Sequence, residues 1–263
     1  MLRIVTCIKV VTDPEAPASA FKIDPGGMRA VPGQGVPPVL NPYDENCLEA
    51  ALRIKDSREA SITVISLGTS VPKAVIKKSL AVGADELVVL EDPAFDTPGT
   101  STTAAALAAA VRKLGDFDLI LCGRMAADTN AGQVGIGLAQ LLDIPCLTVA
   151  RKIDVDGTAV RVERAQSDGY TVTETQLPCL VTVSHELGEL RQANIKGLMA
   201  AQKQPFTTWH LDDLGEGTDG AGPLRLQKLF VPERDTVCEF VEGETPEELA
   251  AGLARTMRDN KLI

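Results

Sequence analysis

The feature that most limits what this chain can fold into is a repeated alternation. Short runs of β-branched and aliphatic residues are each followed by a stretch with helical spacing. Leu2 to Val10, Ser61 to Leu67, Glu86 to Leu90, Asp118 to Cys122 and Cys146 to Ala150 read as strands. Between them, Asp44 to Asp56, Val71 to Val82, Thr100 to Leu114 and Gly132 to Leu142 read as helices. Strands separated by helices of this length imply right-handed β-α-β crossovers and a parallel sheet. A Pro- and Gly-rich stretch from Asp13 to Pro42 reads as a long loop. Apolar residues make up 44% of the chain but aromatics only 3%, so Val, Ile, Leu and Ala must fill the core. That composition suits buried parallel strands under Ala-rich helices.

The alternation stops near Ile153. From there to Val183, Val/Thr alternation with Asp156-Gly157 and Asp168-Gly169 as turns reads as antiparallel hairpins. Asp212 to Gly222 is acidic and Gly-rich, and reads as a loop. Pro246 to Asn260 reads as a last helix, with Thr245 as N-cap and Glu248 three residues on. This order predicts an α/β domain over residues 1–205 and an extended C-terminal arm over 206–263. An arm with so little apolar pattern either packs on a partner or folds back on its own domain.

Charge and cysteine usage remove several functions. The net charge of -10 argues against a nucleic-acid partner, since proteins that grip phosphate backbones are normally basic. The six cysteines, at 7, 47, 122, 146, 179 and 238, show no C-x-x-C and no histidine at ligand spacing, so zinc and iron–sulfur sites fail on spacing. Most lie in apolar runs, which reads as buried thiols in a reducing compartment. Met1 leads straight into a strand pattern and no apolar stretch approaches a membrane span, so a cytoplasmic protein is expected.

In an open parallel sheet, ligands bind beyond the carboxyl ends of the strands. The segments there are Cys7 to Lys9, Leu67 to Ser70, Thr97 to Thr103 and Gly123 to Gly135. Two of them resemble anion sites, because helix starts offer free N–H groups and a favourable dipole. Thr100, Ser101, Thr102 and Thr103 add hydroxyls at one start. Gly132 and Gly135 permit close backbone approach at the other, with Arg124 as a counter-charge. Ordinary N-capping explains single residues at such starts, but less well two starts on successive units of one crevice. Gly132 to Gly137 is G-x-x-G-x-G, which is not the dinucleotide fingerprint, and no G-x-x-x-x-G-K-[ST] occurs. His185 and His210 lie outside these loops, and no set of acid, base and nucleophile stands out. A carrier of a nucleotide cofactor fits better than an enzyme that makes and breaks substrate bonds.

Several motifs then resemble, in order, the β subunits of electron-transfer flavoproteins. They are Cys7-Ile8-Lys9-Val10-Val11, Asn41-Pro42-Tyr43-Asp44, Leu48 to Lys55, Gly83-Ala84-Asp85-Glu86 and the loop Gly123 to Gly135. Val162-Glu163-Arg164, Asp168-Gly169, Leu177-Pro178 and Val181-Thr182 resemble the family's signature segment. The resemblance spans roughly the first 205 residues. It implies an open, mainly parallel Rossmann-like sheet of the adenine nucleotide α-hydrolase kind, with antiparallel hairpin additions and the C-terminal arm on a partner. It implies a heterodimer with a larger α subunit and an adenine nucleotide in the crevice: AMP in housekeeping members, FAD in members that oxidise NADH and bifurcate electrons.

The positions that carry over are Cys7, Asn41, Pro42, Tyr43, Asp44, Leu67 and Gly123, with Asp128, Thr129, Asn130, Ala131, Gly132, Gln133, Val134, Gly135, Ile136, Gly137, Leu138 and Ala139. Thr100 and Thr103 match a D-T-x-x-T loop of FAD-binding members, although Gly99 stands where that loop has Asp. Asn130, Ala131, Ile136, Ala165 and Tyr170 also depart from the family pattern. Arg191 to Met199 resembles the segment that docks an acyl-CoA dehydrogenase, with Arg191, Ile195 and Lys196 as docking residues and Ile195 as the apolar anchor. Ile195 is equally readable as helix packing. The competing function is an adenine-nucleotide sensor with no redox role, which would need neither the hairpins nor the arm. An ATP-using hydrolase would need a Gly-rich phosphate loop where Lys9-Val10-Val11-Thr12-Asp13 stands.

Overall fold

A computed structural model describes residues 1–24, 26, 29–96, 99–215, 226–230 and 238–263. The acidic stretch expected over 212–222 lies in part outside the described residues, as do Thr97 and Pro98. The strands in chain order are β1 Leu2–Cys7, β2 Val10–Thr12, β3 Phe21–Asp24, β4 Arg29–Pro32, β5 Pro38–Leu40, β6 Ala60–Gly68 and β7 Glu86–Glu91. They continue with β8 Leu119–Gly123, β9 Cys146–Asp156, β10 Ala159–Gln166, β11 Gly169–Gln176, β12 Cys179–Val183 and β13 Thr207–Trp209. The helices are α1 Pro42–Ser57, α2 Lys73–Ile76, α3 Lys78–Val82, α4 Thr100–Leu114, α5 Val134–Leu142, α6 Ile195–Lys203 and α7 Pro246–Asp259.

Among the described residues nine strands form one sheet, in the order β11-β10-β9-β12-β8-β1-β6-β7-β13. All pairings from β9 to β13 are parallel, and β10 and β11 add an antiparallel hairpin at one edge. The chain runs outward from β1 through β6 and β7, then returns to pair β8 on the other side of β1. That reversal makes the β1/β8 boundary the topological switch point, where a crevice opens beyond the strand ends. β9 serves two kinds of neighbour because it bends at Val149 (φ 59), where its register with β12 shifts.

Side chains alternate across the sheet, so β1 sends Leu2 and Ile4 to one face and Val5 and Cys7 to the other. The first face is covered by α1, α2, α3 and α6, through Leu48, Ala51, Leu52, Ile76, Leu80 and Ala201. The second is covered by α4 and α5, through Ala106, Ala110, Val111 and Leu138. Small alanines let α4 lie close to the strands, as the composition requires.

Four details differ from the sequence reading. The first strand ends at Cys7, because Lys9 donates its backbone N–H to Asp44 instead of to a sheet neighbour. The stretch 13–42 is not all loop, since β2 pairs β5 and β3 pairs β4, both antiparallel. The helix over 71–82 is two short helices meeting at Lys77, with Lys77 as the C-cap of α2. Beyond residue 205, β13 extends the sheet against β7, in a compact unit comprising Met1–Gln227. A second unit, Lys228–Ile263, holds α7, with Thr245 as the expected N-cap accepting from the Glu248 amide. Among the described residues no helix is long and apolar enough to cross a membrane.

Candidate functional site

The crevice at the switch point is built from the N-terminal ends of three helices. α1 begins at Pro42, a residue suited to a first helical turn because its missing N–H needs no partner. Asn41, just before it, is 1% exposed, and its side chain clamps the loop after β8. The Asn41 amide donates to the Met125 carbonyl (2.8 Å) and accepts from the Ala127 N–H (3.0 Å). Asp44, in the first turn of α1, ties the ends of the two switch strands together. Its carboxylate accepts from the Lys9 amide (2.7 Å) and the Gly123 amide (3.2 Å). Burial pushes the Asp44 carboxyl up to about 7, against the opposing pull of the Lys9 and Gly123 amides and the Asn41 side chain.

The loop from Arg124 to Gln133 forms the rim. The Arg124 backbone is anchored on Val183 (2.9 Å), and its guanidinium lies 5.3 Å from the Tyr43 ring centroid. Lys9 reaches across the mouth to Asp128 (2.6 Å). Asn130 and Gly132 both have positive φ, 51° and 63°, which asparagine and glycine tolerate best. Asp128, Thr129, Asn130, Ala131 and Gln133 are solvent-exposed along this rim.

Beyond the rim stand the starts of α4 and α5. Gly99 precedes α4 and Gln133 precedes α5, and among the described residues neither start has a side-chain cap. Among the described residues the Ser/Thr cluster therefore does not cap α4. Thr103 turns its hydroxyl back to the Gly99 carbonyl (3.0 Å), whereas Thr100 bonds Gln133 (2.8 Å) and so joins the two starts. Gly137 lets the helices approach, since a Cβ there would lie 3.2 Å from Ala104 Cβ. First-turn amides of two adjacent helices, with no side chain among the described residues capping them, could hold phosphate oxygens. Donors of that kind would suit a diphosphate or a single phosphate.

The remaining sequence-picked residues divide by role. Gly123 answers to protein packing: a Cβ there would stand 2.7 Å from the Tyr43 carbonyl carbon and overlap Asp44. Gly135 likewise makes room for Thr182 and Cys122. Leu138 and Ala139 are 0% and 1% exposed and fill the core beneath α5. Cys7 and Leu67 close the strand ends, both packed in that same core, while Val134 is half-buried at the start of α5 and Ile136 is exposed. Arg124, expected as a counter-charge, completes the crevice together with Lys9, which was not among the selected binding residues. Lys9 had one readable signal, its place directly after β1. Among the described residues no group of three or more His, Cys, Asp or Glu could hold a metal.

Of the docking residues, Ile195 is 78% exposed and Lys196 is exposed, both in the first turn of α6. Arg191 instead turns inward, bonding Glu49 and Asp56 of α1.

Comparison with known proteins bears on this geometry. The electron transfer flavoprotein domain family matches residues 31–214. A caffeyl-CoA reductase–Etf complex subunit, CarD, of Acetobacterium woodii is 36% identical over 267 residues, covering 100% of both chains. An electron transfer flavoprotein subunit beta of Megasphaera elsdenii is 38% identical over 243 residues, 88% of each chain. The FixA protein of Azotobacter vinelandii is 34% identical over 271 residues, 97% of this chain and 94% of that protein. Matched over most of its length by the family and end to end by CarD, this chain belongs to the electron transfer flavoprotein family.

Proposed function

We propose that this chain is the β-type subunit of a heterodimeric electron carrier and holds FAD in the switch-point crevice. The carrying observation is the pair of uncapped helix starts, joined by Thr100 and Gln133, facing one loop with two left-handed residues. The first-turn amides of α4 and α5 would hold the phosphates. Arg124 would offset their charge, and Asn41 and Asp44 would fix the loop that covers them. FAD, when bound, supplies one- and two-electron redox chemistry. AMP is the alternative ligand, because it presents the same adenosine phosphate to the same amides.

The partner of this reading is a larger α subunit, with the C-terminal unit Lys228–Ile263 packing on it. Electrons pass to or from an acyl-CoA dehydrogenase or related flavoenzyme that docks at Ile195 and Lys196, in a cytoplasmic setting that keeps all six cysteines free. With FAD in this chain, NADH is a candidate donor and bifurcation a candidate mode. CarD, named as part of a caffeyl-CoA reductase–Etf complex, lends support to a complex with a CoA-ester flavoenzyme.

Co-expression with an α-type subunit tests the carrier role. A yellow heterodimer that passes electrons from a reduced acyl-CoA dehydrogenase to an artificial acceptor is expected. A colourless chain that binds adenine nucleotide alone, with no α subunit attached, would favour the sensor reading.

A further inference from the structure

The residues between β12 and α6 are held to α1 by one helical face. Asn46, Glu49, Arg53 and Asp56 recur at three- and four-residue intervals and so line one side of α1. Asn46 donates to the Gly188 carbonyl (2.7 Å) and Arg53 to the Leu187 carbonyl (2.8 Å). Glu49 accepts from the Arg191 backbone N–H (3.1 Å), from its Nε (3.0 Å) and from a terminal guanidinium nitrogen (3.1 Å). Asp56 accepts from the same guanidinium (2.8 Å). Glu49 is 5% exposed, so no partner protein reaches it.

Downstream, α6 is fixed at both ends. Asn194 caps it through the Gly197 amide (2.7 Å), and Gly197 lies so close to Ala81 that a Cβ would overlap the Ala81 carbonyl. Lys77 donates to the Gln202 and Gln204 carbonyls (2.9 and 3.0 Å) at the other end. What this clamp presents outward is apolar: Ile195, Met199 (58% exposed) and Leu198 (44% exposed).

We propose that Glu49 and Arg191 are positioning residues: the ion pair between buried Glu49 and half-buried Arg191 sets the height and angle at which α6 offers Ile195 to the docking flavoenzyme. This rests on the docking reading of Ile195. Arg191 thereby acts through α6, not by touching the partner. A bidentate guanidinium–carboxylate fork fixes direction as well as distance, which a lysine cannot reproduce.

The test uses the intact heterodimer carrying Glu49→Gln, Arg191→Lys, Asp56→Asn or Ile195→Ala. Two readouts are taken: amide hydrogen exchange over residues 188–199, and KM and kcat with a short-chain acyl-CoA dehydrogenase as probe. Glu49→Gln and Arg191→Lys are expected to speed exchange and to raise KM about tenfold, with kcat and nucleotide content little changed. Asp56→Asn, at an exposed carboxylate, should do the same more weakly. Once Ile195→Ala is present, Arg191→Lys should add little to KM, because both act through one contact. A raised KM for Arg191→Lys with Glu49→Gln silent would overturn the proposal, since Arg191 would then touch the partner directly. Normal exchange and KM in all three charge variants, with Ile195→Ala impaired, would overturn it while sparing the docking reading. A silent Ile195→Ala would remove the docking reading and this inference with it.

Discussion

Asp44 carries the largest conflict at the level of single residues. Its carboxyl is buried beneath two backbone amides, and burial raises it to about 7, whereas an unfolded aspartate sits near ~3.9. The folded protein therefore binds this proton more readily than the unfolded chain. The stability from Asp44 is full below about pH 4 and is lost progressively as pH rises to about 7. Asp44→Asn should flatten the pH dependence of unfolding across that window, a change on the order of a few kcal/mol in slope-integrated stability. Denaturant titrations at several pH values would show it, and parallel curves for both proteins would place the Asp44 carboxyl at its ordinary value. At Gly132, φ is 63° and Arg124 O would lie 3.4 Å from a Cβ. Gly132→Val is expected to abolish nucleotide retention while leaving the helical signal intact; full retention would take this loop out of the site. Both residues were visible in the sequence as crevice candidates. Asp44's bridging of Lys9 and Gly123 was not, because it depends on α1 and β8 meeting across 79 residues of chain.

Among the elements, strands and helices with full periodicity were legible, and short ones were not. β6, β7, β8, α1 and α4 fall within a few residues of their expected bounds, because each buries a complete face. β13 is three residues long and β2 and β5 pair over three positions each, too few for a period of two to show. The break between α2 and α3 has no Gly or Pro to announce it; Lys77 holds the α6 carbonyls from that point. The uncapped starts of α4 and α5 were legible only in part. Hydroxyl-rich sequence marked the first, but whether those hydroxyls cap the helix is decided by rotamers that Gly99 and Gln133 control. Packing at Gly123 belongs to this scale as well. Gly123→Ala would press against Tyr43 and Asp44 and is expected to destabilise by about 1–3 kcal/mol, measured by denaturant unfolding. A neutral result would show that α1 can shift away from β8 at no cost.

For the whole molecule, strand order decides where a ligand can sit, and only the three-dimensional pairing shows that order. The sequence gives an alternation of strands and helices, whereas the return of β8 to the side of β1 fixes the switch point. The chain divides into Met1–Gln227, which contains the sheet and crevice, and Lys228–Ile263, which contains α7. A chain ended at Gln227 is expected to unfold cooperatively and to fail in co-purification with an α-type subunit. An undiminished heterodimer would show that the arm is dispensable for assembly. On the proposed function, this chain holds a nucleotide of its own. The most direct measurement is to denature the purified heterodimer and quantify FAD and AMP per complex by chromatography. Two FAD and no AMP are expected, one flavin in each subunit. One FAD with one AMP would keep the site and change its ligand. One FAD with no second nucleotide would contradict the account.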